Sequence, residues 1–150
     1  LLYRTLGRYE LAELWAAANP DSLPGALWRL YLLRHTVREA PSAAAYRFRR
    51  GIEVDAVGQA IAGSSAAPTP DEVVSLTTQI LRGAFVGDFA VALERAAAFS
   101  RVMGAGCREL AGSDADNDRA AEEHRRAESY DAIAGELTRA TSSWRSGVLH

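Results

Sequence analysis

The stretch 69–103, TPDEVVSLTTQILRGAFVGDFAVALERAAAFSRVM, decides the fold class. Thr69 can cap a helix, Pro70 stands at its first position, and Glu72 follows three residues after the cap. A threonine oxygen accepts from the free N–H groups of a first turn, and proline there loses no hydrogen bond. Val73, Leu76, Ile80 and Ala84 then recur at intervals of three and four, with Leu81 and Phe85 beside them. Gly87-Asp88 turns the chain, and Phe89, Leu93, Ala96 and Met103 carry the same period onward. That spacing lines one face of a helix, whereas a strand would alternate every second residue. Gly104 and Gly106 lie near the expected end of this second helix.

Upstream, the period persists. Leu2, Leu6, Leu11, Leu14, Trp15 and Ala18 outline a first helix, and Asn19-Pro20-Asp21-Ser22 stops it and caps the next. A second helix is expected from Leu23 to Ala40. Its Ala26, Leu30, Leu33 and Val37 share one face, while Trp28, Leu32 and His35 lie nearly opposite. Apolar groups on both sides mark a central helix or one shared with a partner. Pro41-Ser42 sets a boundary before a third helix over Ala43 to Ala62, with Phe48, Ile52, Val57 and Ile61 toward the core. A loop at 63–68 separates it from the capped helix. Downstream, Ala111 to Asp118 reads as a polar loop. A last helix from Arg119 to Trp144 follows, its polar first turns solvated or projecting from the body, and its Tyr130, Ile133, Leu137, Ala140 and Trp144 recurring at three and four as the apolar stripe. The expectation is an all-α, single-domain bundle of about six helices over residues 1–150.

Gly87-Asp88-Phe89 with Ala92, Leu93 and Ala96 resembles the turn and second helix of a tetratricopeptide repeat. No second copy follows at a fixed period, so the resemblance implies one packed helix pair rather than a solenoid. As a DNA-binding helix-turn-helix, the second helix would open on Asp88-Phe89-Ala90-Val91, and Arg95 would be its first basic group. An acidic, apolar end does not suit base edges.

Every one of the 17 basic residues is arginine, and the formal charge is -2. The whole chain therefore exerts no general pull on nucleic acid or an anionic membrane. Locally, Arg29, Arg34, Arg38, Arg47, Arg49 and Arg50 fall within 22 residues beside a single acid, Glu39. Arg34, Arg38, Arg47, Arg49 and Arg50 are the candidate anion or partner contacts, since guanidinium binds carboxylate and phosphate in a fork. The bland alternative is a charged helix face paired with Glu122, Glu123 and Glu128 of the last helix.

Sequence motifs for catalysis are absent. Three histidines, His35, His124 and His150, give no Glu-x-x-His pair of the kind a carboxylate-bridged metal in a bundle uses. His35 reads as a core or boundary histidine, with Glu39 one turn on. The lone Cys107 forms no disulfide within the chain and reads as inert packing. No phosphate loop, nucleophile elbow or zinc motif occurs. The sequence thus predicts a non-catalytic, cytoplasmic protein without cofactor or metal, acting through protein contact. It would be a homodimer, with Trp28 and Leu32 of the second helix as the dimer contact. Nucleic-acid or polyanion binding by the arginine cluster is one alternative. A small-molecule pocket lined by Trp15, Trp28 and Tyr31, or an enzyme assembled from single residues, is the other.

Overall fold

A computed structural model describes residues 18–150. The helix expected over Leu2 to Ala18, with its Trp15, thus lies outside the described residues except for its last position. Among the described residues, six helices make up an all-α bundle: α1 (Leu23–Glu39), α2 (Pro41–Ile52), α3 (Ala56–Ala62), α4 (Pro70–Val86), α5 (Phe89–Ser113) and α6 (Asn117–Arg145). No strand occurs among them.

The bundle is organised around α5. Sixteen of its 25 residues are buried, and it contacts each of the other five described helices. Alanine is the commonest buried residue in α5, which lets neighbouring backbones come close. Where even alanine is too large, glycine stands. A β-carbon on Gly106 would lie 1.8 Å from the Arg47 carbonyl oxygen, and one on Gly51 would lie 1.9 Å from that of Val102. The backbones of α2 and α5 therefore touch. This corrects the helix end expected near Gly104 and Gly106. Both glycines sit in mid-helix to admit a neighbour, and α5 runs on to Ser113. The loop before α6 shrinks accordingly to residues 114–116.

The expected cap of α4 forms as read, with the Glu72 N–H donating to Thr69 Oγ1 at 3.2 Å. α1 is capped by Ser22, whose Oγ accepts from Gly25 N at 3.2 Å, and it buries the expected Ala26, Leu30, Leu33 and Val37. Its start is closed off by the chain's far end: Leu23 N donates to His150 O at 2.8 Å, and Leu149 is buried. Pro41 begins α2 directly, so a single residue, Ala40, separates α1 from α2.

The expected third helix is broken in two. The Gly51 carbonyl accepts from both Val54 N and Asp55 N at 3.0 and 2.8 Å, ending α2. Asp55 then caps α3, its Oδ1 accepting from Gly58 N at 2.7 Å. The break resets the helical phase. Phe48 is fully buried against Phe99 with ring centroids 5.2 Å apart, and Ile52 packs at the core margin. Val57 and Ile61, expected inside, point to solvent, while Gly58 and Ala62 face inward instead. Phe85, expected beside the α4 stripe, is likewise exposed.

Candidate functional site

The arginines of 29–50 do not form one free basic surface. Arg29 pairs with Glu136 across the bundle. Arg34 Nε donates to Thr78 Oγ1 at 3.2 Å. Arg50 lies 3.7 Å from Glu53 and 4.0 Å from Glu109. Arg49 Nη1 donates to the Pro68 carbonyl at 3.5 Å. Arg38 is exposed on the last turn of α1. Arg34, Arg47, Arg49 and Arg50 thus each engage a different partner within the chain, and Arg38 stands exposed.

The most organised polar group centres on Arg47. Its Nε and Nη2 donate to Glu123 Oε2 and Oε1 at 3.1 and 2.8 Å, a two-point fork. Both side chains are largely buried, 17% and 13% exposed. Arg126, one turn along α6, also donates to Glu123 Oε1. Burial pushes the Glu123 carboxyl up; the Arg47 hydrogen bonds and the charges of Arg47 and Arg126 outweigh it and hold the carboxyl below its ordinary value. Burial opposes the charge on Arg47, and the same carboxylate prevails, holding its guanidinium above the ordinary value. The first turns of α6, expected to be solvated or to project, therefore contribute a largely buried carboxylate, the arginine-to-acid pairing weighed as the alternative.

Cys107 and Tyr130 lie beneath this group. Burial, reinforced by the Glu123 charge, pushes the Cys107 thiol up to about 12. The thiolate is the nucleophilic form, so this cysteine is unreactive at neutral pH. Tyr130 is also raised to about 12, first by burial. Its phenol stays neutral under ordinary conditions.

Two clefts open on either side of Arg126. The larger, of about 510 Å³, is polar and lies between Arg47, Asp114 and Ala115 of the 114–116 loop, and Arg119 and Glu123 of α6. There Arg119 forks onto Asp114, at 3.1 and 3.2 Å. The other, of about 370 Å³, runs between α1 and α6 over Leu32, Leu33, Tyr130 and Ile133. Neither Trp28 nor Tyr31 lines either cleft; they lie against one another with ring centroids 6.0 Å apart. Trp28 and Leu32 are half-buried.

His35 corrects the expectation of a core or boundary histidine. It is exposed, with Nε2 3.7 Å from Glu39 Oε1, beyond hydrogen-bond reach. It packs in the outer row of α1 because the inner row is filled by Leu30, Leu33 and Val37. Among the described residues, no group of three His, Cys, Asp or Glu side chains could hold a metal ion. No described helix is long and apolar enough to cross a membrane.

The feature that sequence reasoning missed is an apolar end of the bundle. Phe85 and Val86 close α4, Val91 lies in the first turn of α5, and Trp144 and Val148 come from the end of α6 and beyond; Trp144, expected on the apolar stripe of the last helix, is exposed because it lies in that helix's final turn. Trp144 meets Phe89 edge-to-face at 4.8 Å, which joins the α5 and α6 contributions. The one sequence signal for it is Phe85-Val86 directly before a Gly-Asp turn, where apolar residues have little bundle left to cover them. Comparison with known proteins adds no relative: no family model, no curated protein and no solved structure matches the chain.

Proposed function

We propose that the protein acts without catalysis, by contact with another protein chain, and that the contact is a homodimer through the apolar end of the bundle. The observation that carries this reading is the exposure there of Phe85 at 64% and Val86 at 75%. Isolated surface apolar residues are ordinary, but a contiguous patch marks an interaction surface. Its residues are of the aromatic and aliphatic kind that form the centre of an interface. Charged residues adjoin the patch along the chain: Arg82 and Asp88 flank Phe85-Val86, and Arg145, paired with Glu94, follows Trp144. Trp144 is the natural anchor, since large aromatic groups carry much of the energy in such contacts.

Trp28 and Leu32 are the competing dimer surface. Both are half-buried, so less of each remains for a partner to cover. Sedimentation at tens of micromolar separates the two. Phe85→Asp with Val86→Asp should convert a dimer to a monomer, while Trp28→Ala should leave it intact. A native protein that sediments as a monomer, or a dimer indifferent to the aspartates, overturns the proposal.

A further inference from the structure

We propose that the cleft between α1 and α6 binds a small amphiphilic carboxylate, with its apolar body over Leu32, Leu33, Tyr130 and Ile133 and its head group on Arg125 and Arg126. The site is independent of the apolar end and of the dimer proposed there.

The floor comes from both helices: Leu32 and Leu33 from α1, Tyr130 and Ile133 from α6. A volume of about 370 Å³ lies at the small end of ligand pockets, which span roughly 300–1,000 Å³. It suits a medium-length acyl chain or a single aromatic ring system better than a large cofactor.

Charge fixes the polarity of the ligand. Two guanidiniums, Arg47 and Arg126, share the one carboxylate of Glu123, so among the described residues one positive charge in that group is uncompensated. Arg47 is committed to Glu123 through both arms of its fork. Arg126 gives Glu123 a bond from Nη1, and its guanidinium has further N–H donors. Those donors belong to a side chain that lines the cleft. Arg125 lines the same mouth together with Glu122, whose charge offsets it. The excess therefore falls to Arg126, pre-positioned by Glu123 from behind. A guanidinium held in this way takes a carboxylate more strongly than a neutral donor would.

The apolar floor and the cation meet at Tyr130, which is buried under both. An uncharged alcohol of the same length would gain the floor and lose the head group. A short anion such as acetate would gain the head group and lose the floor. Only a molecule with both ends uses the whole cleft.

The test is titration calorimetry of the full chain with sodium decanoate, kept below its micelle concentration, and with decanol for comparison. Decanoate should bind saturably at one site per chain, at least about tenfold more tightly than decanol. Ser129→Glu places a like charge in the cleft from an exposed position and should weaken decanoate by about tenfold or more. Arg125→Gln removes one exposed cation and should weaken decanoate while leaving decanol unchanged. Circular dichroism confirms that both variants fold. Backbone amide shifts induced by decanoate should fall on 32–36 and 122–133. No saturable binding, equal binding of decanol, indifference to Ser129→Glu, or shifts centred on Phe85 and Trp144 would overturn the proposal.

Discussion

Arg47 on α2 and Glu123 on α6 join two helices that have no backbone contact of their own. Both helices pack on α5, and the fork spans its flank. The bridge lies beside the place where Gly106 lets the Arg47 backbone approach closest. Backbone proximity and side-chain pairing thus meet at one residue. α2 is positioned at Arg47 twice, once through its carbonyl and once through its guanidinium.

Glu123→Gln should destabilise the protein by about 2 kcal/mol, because two partly buried guanidiniums lose their shared counter-charge. Arg47→Lys should cost less than Arg47→Met. Lysine retains the charge and loses only the second arm of the fork. Urea denaturation at pH 7 measures both. Equal stability of native protein and Glu123→Gln would show that the pair contributes nothing net.

The same carboxylate gives stability a pH dependence of defined sign. Its folded pKa lies below the ordinary value of 4.5, so the unfolded chain takes up the proton first. The contribution is complete above about 4.5 and is lost as pH falls through the lowered folded value. Urea midpoints between pH 7 and pH 3 should therefore fall more steeply for the native protein than for Glu123→Gln. Arg47 stays charged throughout this range and adds no slope of its own. Parallel curves for the two proteins would contradict the assignment.

Gly106→Ala should unfold the protein or cost more than about 3 kcal/mol, because the new methyl meets backbone that cannot rotate away. The obstacle is the Arg47 carbonyl, 1.8 Å from the added carbon. Gly112 on the same helix is the matched control, since a carbon added there meets nothing within 4 Å. Gly112→Ala should be neutral or stabilise by up to about 1 kcal/mol, because alanine is the better helix former. Thermal denaturation of the two variants reads the contrast. A mild Gly106→Ala would mean that α2 can move off α5 at little cost.

The fold was legible wherever the signal was local. Thr69, Pro70 and Glu72 announce the start of α4 by chemistry confined to one turn, and that start is where the structure has it. The inner row of α1 follows from spacing alone. The failures are tertiary. Gly104 and Gly106 look like a helix end because glycine weakens an isolated helix; packing against α6 and α2 reverses the reading. The break at 53–55 carries no proline, and only the Asp55 cap marks it, so the phase of Val57 and Ile61 could not be read. At the site, the acids of the last helix were suitable partners for the arginines, but choosing Glu123 for Arg47 needs the bundle. The α1–α6 cleft is less legible still, since its floor pairs residues about a hundred positions apart.

The position of α5, in contact with the five other described helices, also bears on how the molecule opens. Loosening any peripheral helix uncovers part of one shared surface, so the neighbours are coupled in free energy even where they do not touch. Partly open states should then be scarce, and hydrogen-exchange protection is expected to concentrate in the middle of α5. Whatever tightens α1 against α6, whether a ligand or a partner, is felt by amides at the centre of a helix it never reaches.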